Sequence, residues 1–208
     1  VDLVERAIES APENIAIFDR EGNHVMDLGG TRSYFGTGSD LFNSYDSKKN
    51  ERSRSVLEDV GRAARLCDAL PNIDFIMSFA HPNEIPPSQS YLFSFLAMAE
   101  SSTKPIVCTA ECRDDLSEMW EIARILRGSE EALIGKPYFI HYGEPTSPLK
   151  HPPHSLEKLL FCAEKRIPVI YSPAPLAGST APMTIAGHVA QGLAERFCGL
   201  GIHPLKAE

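Results

Sequence analysis

The sequence predicts an α/β protein assembled from repeated strand–helix units, and three observations carry that reading. Short apolar strands alternate with longer amphipathic segments, which calls for a parallel sheet covered by helices. Strand centres recur roughly every 30 residues, the length of one such unit. No GxGxxG follows the first strand and no GKS or GKT occurs, which weighs against the nucleotide-binding open sheets. A doubly wound open sheet stays the competing arrangement. Unbroken repetition favours a partial (β/α)8 TIM barrel, its first half preceded by an N-terminal helix and a β-hairpin.

The elements follow in order. Val1 to Ala11 reads as a helix with Leu3, Val4, Ala7 and Ile8 on one face, ended by Pro12. Ile15–Asp19 and His24–Leu28 alternate around Arg20-Glu-Gly-Asn as a hairpin. Ser33 to Gly38 is a short strand entering a Gly-rich bend, and the polar tract from Asp40 to Arg54 reads as a solvated surface loop. Residues 1–38 thus hold the N-terminal helix, hairpin and first strand, and residues 39–208 the successive βα units of an incomplete barrel.

Helices are expected at Ser55–Leu70, with Val56, Val60, Ala63 and Cys67 inward, and at Gln89–Glu100, Arg113–Arg127 and Ser155–Arg166. Asp114 and Asp115 open the third of these and Arg124 and Arg127 close it, as the helix dipole favours. Ser155 is the expected cap of the fourth. Strands are expected at Ile73–Phe79, Pro105–Ala110, Pro137–Tyr142 and Pro168–Ser172. The last strand hands the loop Gly178-Ser-Thr-Ala-Pro to a helix with Thr180 as N-cap and Pro182 in its first turn. Met183, Ala186, Ala190, Leu193 and Phe197 form the apolar face of that helix.

A whole barrel needs eight strands and about 250 residues. A sixth strand is due at Gly201-Ile-His-Pro-Leu, where the chain stops. An open edge and its apolar faces then need cover, from a missing part or another chain, so a homo-oligomer stays open. The chain begins at Val1 with an amphipathic segment already under way, so a portion of a longer protein is expected, inactive when isolated.

The formal charge of -8 argues against duplex nucleic acid or an anionic membrane as the main partner. No apolar run approaches about 18 residues, and no basic-then-apolar start marks a secretory signal. Five cysteines (Cys67, Cys108, Cys112, Cys162, Cys198) lack any CxxC spacing, which fits a reducing cytoplasm rather than a zinc or disulfide framework. Cys112, just past a strand, is the one to test for reactivity.

In parallel α/β folds, function gathers on loops after the strand C-termini. Tyr34, Phe79 with His81, Glu111, His141 with Tyr142 and Glu144, and Ser172 with Gly178, Ser179 and Thr180 occupy such places. Plainer roles compete. His81-Pro82 shapes a loop, His141 reads as a satisfied core histidine, and Gly178–Pro182 as turn-and-cap chemistry. His151-Pro-Pro-His154 reads as a rigid loop. Glu111 and Glu144 call for a partner, because a carboxylate stripped of water needs a cation or donors, which a helix N-terminus also offers. No HxH or HExxH marks a metal site, and no GxSxG a nucleophile elbow.

Several motifs resemble the trimethylamine methyltransferase family. They are Gly29-Gly30, Tyr34-Phe-Gly-Thr-Gly38, Asp59 with Arg65-Leu-Cys-Asp-Ala-Leu70, and Asp74-Phe-Ile-Met-Ser78. Thr103-Lys-Pro105, Glu144-Pro-Thr-Ser-Pro-Leu149 and Gly178-Ser-Thr-Ala-Pro-Met-Thr-Ile-Ala-Gly187 complete the set, so the likeness runs along essentially the whole chain. The resemblance implies a (β/α)8 barrel that binds a tertiary or quaternary methylated amine and no cofactor directly. It implies as partner a corrinoid protein, which presents cobalamin as Co(I) to take the methyl group.

Such a site must hold a cation without hydrogen bonds to its nitrogen and exclude water, which aromatic faces and a carboxylate accomplish. Tyr34, Phe35, Phe79, Tyr142, Glu111 and Glu144 offer that chemistry. Family members specific for trimethylamine carry pyrrolysine in later barrel strands, beyond Glu208, and pyrrolysine-free relatives, some acting on glycine betaine, are equally similar. A non-catalytic module that captures an amine or docks on a subunit is the competing function.

Overall fold

The computed structural model describes residues 2–203, a mixed α/β chain of seven helices and small sheets, none of them closed into a barrel. It divides into two compact units, Asn14–Ile140 and Val1–Glu13 with His141–Glu208. Among the described residues no helix is long and apolar enough to cross a membrane.

In the unit Asn14–Ile140 the expected hairpin forms: β1 (Ile15–Phe18) pairs antiparallel with β2 (His24–Leu28). Ile17 and Met26 face each other across it and are buried, so one face of the alternating pattern enters the core. Arg127 anchors the turn, donating to the carbonyls of Asp19 and Arg20 at 2.7 and 2.9 Å while its guanidinium lies 5.0 Å from the Tyr138 ring centre.

The tract from Asp40 to Arg54 is not a loop but a second ribbon, β3 (Asn43–Asp46) paired with β4 (Glu51–Arg54). Its turn is self-sufficient, because the Asp46 carboxylate accepts from the amides of Lys48 and Lys49 at 2.9 and 3.2 Å and Asn50 takes φ +57°. Nearly every residue of the ribbon is exposed, so no apolar alternation announced it.

Parallel extended segments follow one another in chain order. Gly36 bridges Phe75, Leu41 bridges Ala80, and Ile76 bridges Ile106 of β5 (Ile106–Cys108). The Ile106 amide then donates to the Tyr138 carbonyl. The strands expected at Ser33–Gly38 and Ile73–Phe79 are thus reduced to single bridges. Helices α2 (Leu57–Asp68), α3 (Pro87–Ser101) and α4 (Arg113–Arg127) lie near their expected spans. In α2 the buried set is Val60, Gly61, Ala64 and Cys67, and Val56 is the exposed N-cap. A short α5 (Glu130–Gly135), capped by the Ser129 hydroxyl, was not foreseen. The core packs Phe95 edge-on to Phe139 with ring centres 5.8 Å apart, and Ile76, Ile106, Leu116 and Met119 are fully buried.

Two of the sequence motifs interlock here. Asp68 accepts from Ser102 Oγ and the Thr103 amide at 2.7 and 2.8 Å, and Lys104 Nζ donates to the carbonyls of Cys67 and Leu70 at 2.6 Å. The lysine adds a charged donor to carbonyls at the C-terminal end of α2 that also accept from the amides of Leu70 and Ile73. Asp59 likewise binds Ser44 Oγ and the Val56 amide, and Asp74 the Phe35 amide. These carboxylates hold the chain together.

In the other unit, α1 (Asp2–Ser10) packs on α7 (Ile185–Ile202). Ala7 of its expected face is buried and Ile8 half exposed, while Val1 and the Leu3 and Val4 side chains lie outside the described set. From β6 (Phe139–Gly143), residues His141–Gly143 pair in parallel with β7 (Val169–Tyr171). Helix α6 (Pro153–Lys165) begins ahead of Ser155, with Pro152 at its cap position. Ser155 instead donates its hydroxyl to the Glu144 carbonyl at 3.0 Å. Gly201 and Ile202 belong to α7, not to a sixth strand, and Pro204 and Leu205 lie outside the described residues.

Helix α7 departs most from expectation. Its N-cap is Thr184, whose Oγ1 accepts from the Gly187 amide, and not Thr180. Its apolar positions point outward: Met183 just before it, then Ile185, Val189, Leu193 and Phe197, are all at least 42% exposed. The buried residues are Glu195 and Gly199, and with half-buried Gln191 they form an i, i+4, i+8 line. Gly199 is required there, because a Cβ would strike the Tyr171 ring.

Candidate functional site

Strand β6 emerges from the core at Tyr142. Phe139, Ile140 and His141 are buried, Tyr142 and Gly143 are half-buried, and Glu144 is exposed. Tyr142 donates its phenol to Glu144 Oε1 at 2.8 Å, and Ser172, at the end of β7, hydrogen-bonds the same phenol. Burial first, then the bond to Glu144, pushes the Tyr142 phenol above its ordinary range, with Ser172 opposing. It therefore stays a neutral donor. Tyr142, Glu144 and Ser172, three of the predicted residues, form one polar group beside an aromatic face. His141 is buried.

Gly178, Ser179 and Thr180 form a tight turn in the same unit. The amides of Ser179, Thr180 and Ala181 all donate to the Leu176 carbonyl at 3.0 Å, and the Gly178 amide to that of Ala181 at 2.9 Å. Thr180 Oγ1 accepts from the Leu176 amide. The turn's donors are therefore satisfied internally, whereas a ligand cradle needs open N–H groups. Gly178 sits at φ +78°, and a Cβ there would lie 2.5 Å from Met183 Sδ, so no other residue fits without strain.

A residue that the sequence did not flag ties these features together. Glu195 has no exposed surface, and its carboxylate accepts from Ser147 Oγ at 2.8 Å, the Leu149 amide at 2.9 Å and Gln191 Nε2 at 3.1 Å. Burial by itself raises a carboxyl pKa. Here the three hydrogen bonds, with the nearby His151, outweigh it and hold Glu195 below its ordinary value. His151 Nδ1 in turn lies 2.8 Å from Tyr171 Oη with the rings stacked, and burial, aided by Cys198 and Glu195, pushes Tyr171 up to about 12.

The remaining predicted residues lie in the unit Asn14–Ile140. Tyr34 is not at a strand C-terminus. It precedes Gly36, and its hydroxyl accepts from the Asp27 amide of β2, the hairpin that abuts the start of β6 at Pro137. Phe79 and Glu111 do follow their strand segments and are exposed. Phe79 holds φ +59°, a costly conformation for an aromatic residue and one that clusters at functional sites. Beside them His81 packs on Phe42 with ring centres 4.8 Å apart and on Tyr91 at 6.4 Å. Burial, then the charges of Asp40, Glu111 and Asp115, raise the Tyr91 phenol. Tyr91 also lines a small recess with Ser78, Ser94, Met98, Cys108 and Thr109. Helical periodicity hid Tyr91 from sequence reading. Among the described residues no group of three His, Cys, Asp or Glu side chains is arranged to hold a metal ion.

Fold and site define an α/β protein of parallel strand–helix units that sets a carboxylate, a phenol and a hydroxyl where adjacent strands end. A family profile described as Trimethylamine methyltransferase (MTTB) matches residues 1–205. The trimethylamine methyltransferase MttB of Desulfitobacterium hafniense (strain DSM 10664 / DCB-2) is 28% identical over 188 residues, 89% of this chain and 37% of that protein. The glycine betaine methyltransferase of Desulfitobacterium hafniense (strain Y51) is 27% identical over 204 residues, 97% and 42% of the two chains. The trimethylamine methyltransferase MttB of Methanosarcina thermophila is 27% identical over 218 residues, 99% and 44%. The chain belongs to the trimethylamine methyltransferase family, and it spans 37% to 44% of the length of these relatives.

Proposed function

We propose that this chain is part of a cytoplasmic methyltransferase that passes a methyl group from a tertiary or quaternary amine to the corrinoid of a partner protein. Family membership supports the reaction class, and relatives named for trimethylamine and for glycine betaine support a methylated amine as the substrate. Parallel segments in unbroken chain order within Asn14–Ile140 support residues 39–208 as successive units of a (β/α)8 barrel wall, because doubly wound sheets reverse order at a switch point.

The observation that carries the proposal is the Tyr142–Glu144 pair. An exposed carboxylate is held beside a phenol ring, and the two attract an alkylammonium through Coulomb and cation–π terms while donating nothing to its nitrogen. The corrinoid, when its carrier protein docks, supplies the methyl acceptor. The residues of this chain bind the ammonium, orient its methyl group and keep water away. Phe79, Glu111, His141, Ser172, Gly178, Ser179 and Thr180 stand as further substrate-site candidates, and so does Tyr34, although its hydroxyl already accepts from the Asp27 amide of the hairpin. The test is methyl transfer from trimethylamine, glycine betaine and related amines to Co(I) cobalamin by the full-length protein. Turnover of at least one amine is expected. Binding of an amine without any transfer would replace the enzyme with a capture module.

A further inference from the structure

We propose that Glu195 and Gln191, one turn apart on α7, are a positioning pair that sets the Glu144–Leu149 turn and the Gly178–Thr180 turn from a single helix face. Glu195, an acceptor only, takes the Ser147 hydroxyl and the Leu149 amide from the first turn. Gln191 Nε2 donates to Glu195 at 3.1 Å and to the Thr180 carbonyl of the second turn at 2.7 Å. Both protons of that amide are then used, one on each turn's side.

Glutamate suits the first place and glutamine the second. A carboxylate at 191 could not donate to Thr180, and an apolar residue at 195 would leave the Leu149 amide without an acceptor. A fully buried carboxylate is a costly way to pack a helix, since an apolar side chain of similar volume does as well or better. Its use here is to fix geometry. The far end of the first turn is pinned separately, by Ser155 Oγ on the Glu144 carbonyl. With both ends held, the Glu144 side chain stays in reach of the Tyr142 phenol, so the pair acts on substrate only through Glu144. That last step rests on the proposed function; the coupling of the two turns does not.

The full-length protein carrying E195A, E195Q or Q191M tests this by hydrogen exchange and by kinetics on whichever amine the wild type turns over. E195A is expected to speed exchange in the peptide 144–150. Q191M is expected to speed it in 176–182 and leave 144–150 close to wild type. E195Q keeps an oxygen for the Leu149 amide and can donate to Ser147 Oγ, so it should exchange like wild type. In kinetics E195A should raise KM about tenfold, the size of one lost charge-assisted hydrogen bond, with kcat little changed. E195Q should restore most of that loss. A purely structural Glu195 would lower thermal stability in E195A and leave KM untouched. Unchanged exchange at 144–150 in E195A, or an E195Q as impaired as E195A, overturns the proposal. A wild type inactive on every amine sinks the methyltransferase reading alone, and the exchange pattern then decides for the clamp.

Discussion

Two glycines on α7 give a matched test of how the helix seats on β7. Gly192 and Gly199 lie in the same helix, and alanine at either position gains the same helix propensity, about 0.8–1 kcal/mol. At Gly192 the new Cβ would meet Pro175 Cγ at 3.8 Å, an ordinary contact, so G192A should be stabilised by roughly that propensity term. At Gly199 the Cβ would overlap Tyr171 ring carbons. That ring cannot swing away cheaply, because it is stacked on His151 and hydrogen-bonded to it at 2.8 Å. Overpacking of this kind costs about 1–3 kcal/mol. Propensity cancels between the two variants, so the gap between them isolates the collision. With a urea m value of about 2 kcal/mol/M, a 2 kcal/mol gap separates the midpoints by roughly 1 M. Urea denaturation of both variants beside wild type measures it. If G199A melts at or above the midpoint of G192A, Tyr171 is not wedged against α7 and the seating described here is wrong.

Two further outcomes follow from other contacts. Glu195 titrates below its ordinary value of 4.5 in the folded protein, so its stabilisation is complete above that pH and is lost as pH falls through the lower folded pKa. The stability gap between wild type and E195Q, followed by denaturation from about pH 7 to pH 3, should therefore be level at first and shrink under acid; a gap that widens in acid reverses the assignment. Arg127→Leu removes two charge-assisted bonds to the hairpin carbonyls and should cost about 2–4 kcal/mol, with faster hydrogen exchange over residues 15–28. Loss of stability without any change in exchange there would place the role of Arg127 elsewhere.

Some elements could be read from sequence and others could not, for reasons visible in the residues. Helix α4 runs from Arg113 to Arg127 as expected, because acidic first-turn residues, basic last-turn residues and Gly128 at φ +99° all mark the same ends. The β3–β4 ribbon was missed because a hairpin with almost no buried side carries no period-2 signal. Cap assignments slipped at Ser155 and Thr180 because each hydroxyl had another partner, the Glu144 carbonyl and the Leu176 amide. Of the candidate site, the grouping of Tyr142, Glu144 and Ser172 was legible from their places at strand ends. Glu195 was not, because a glutamate between Ala194 and Arg196 looks like any solvent-facing helical residue; its burial is decided by the Ser147–Leu149 turn, far away in sequence.

The reversed polarity of α7 changes what holds it in register. Greasy contacts tolerate a few degrees of rotation or a small slide, since one methyl group replaces another at little cost. Directional bonds do not, and turning α7 about its axis would part Glu195 from Ser147 and Leu149 together with Gln191 from Thr180. The helix is indexed like a keyed shaft, free to vary along Ile185, Val189 and Leu193 while two polar teeth keep its phase.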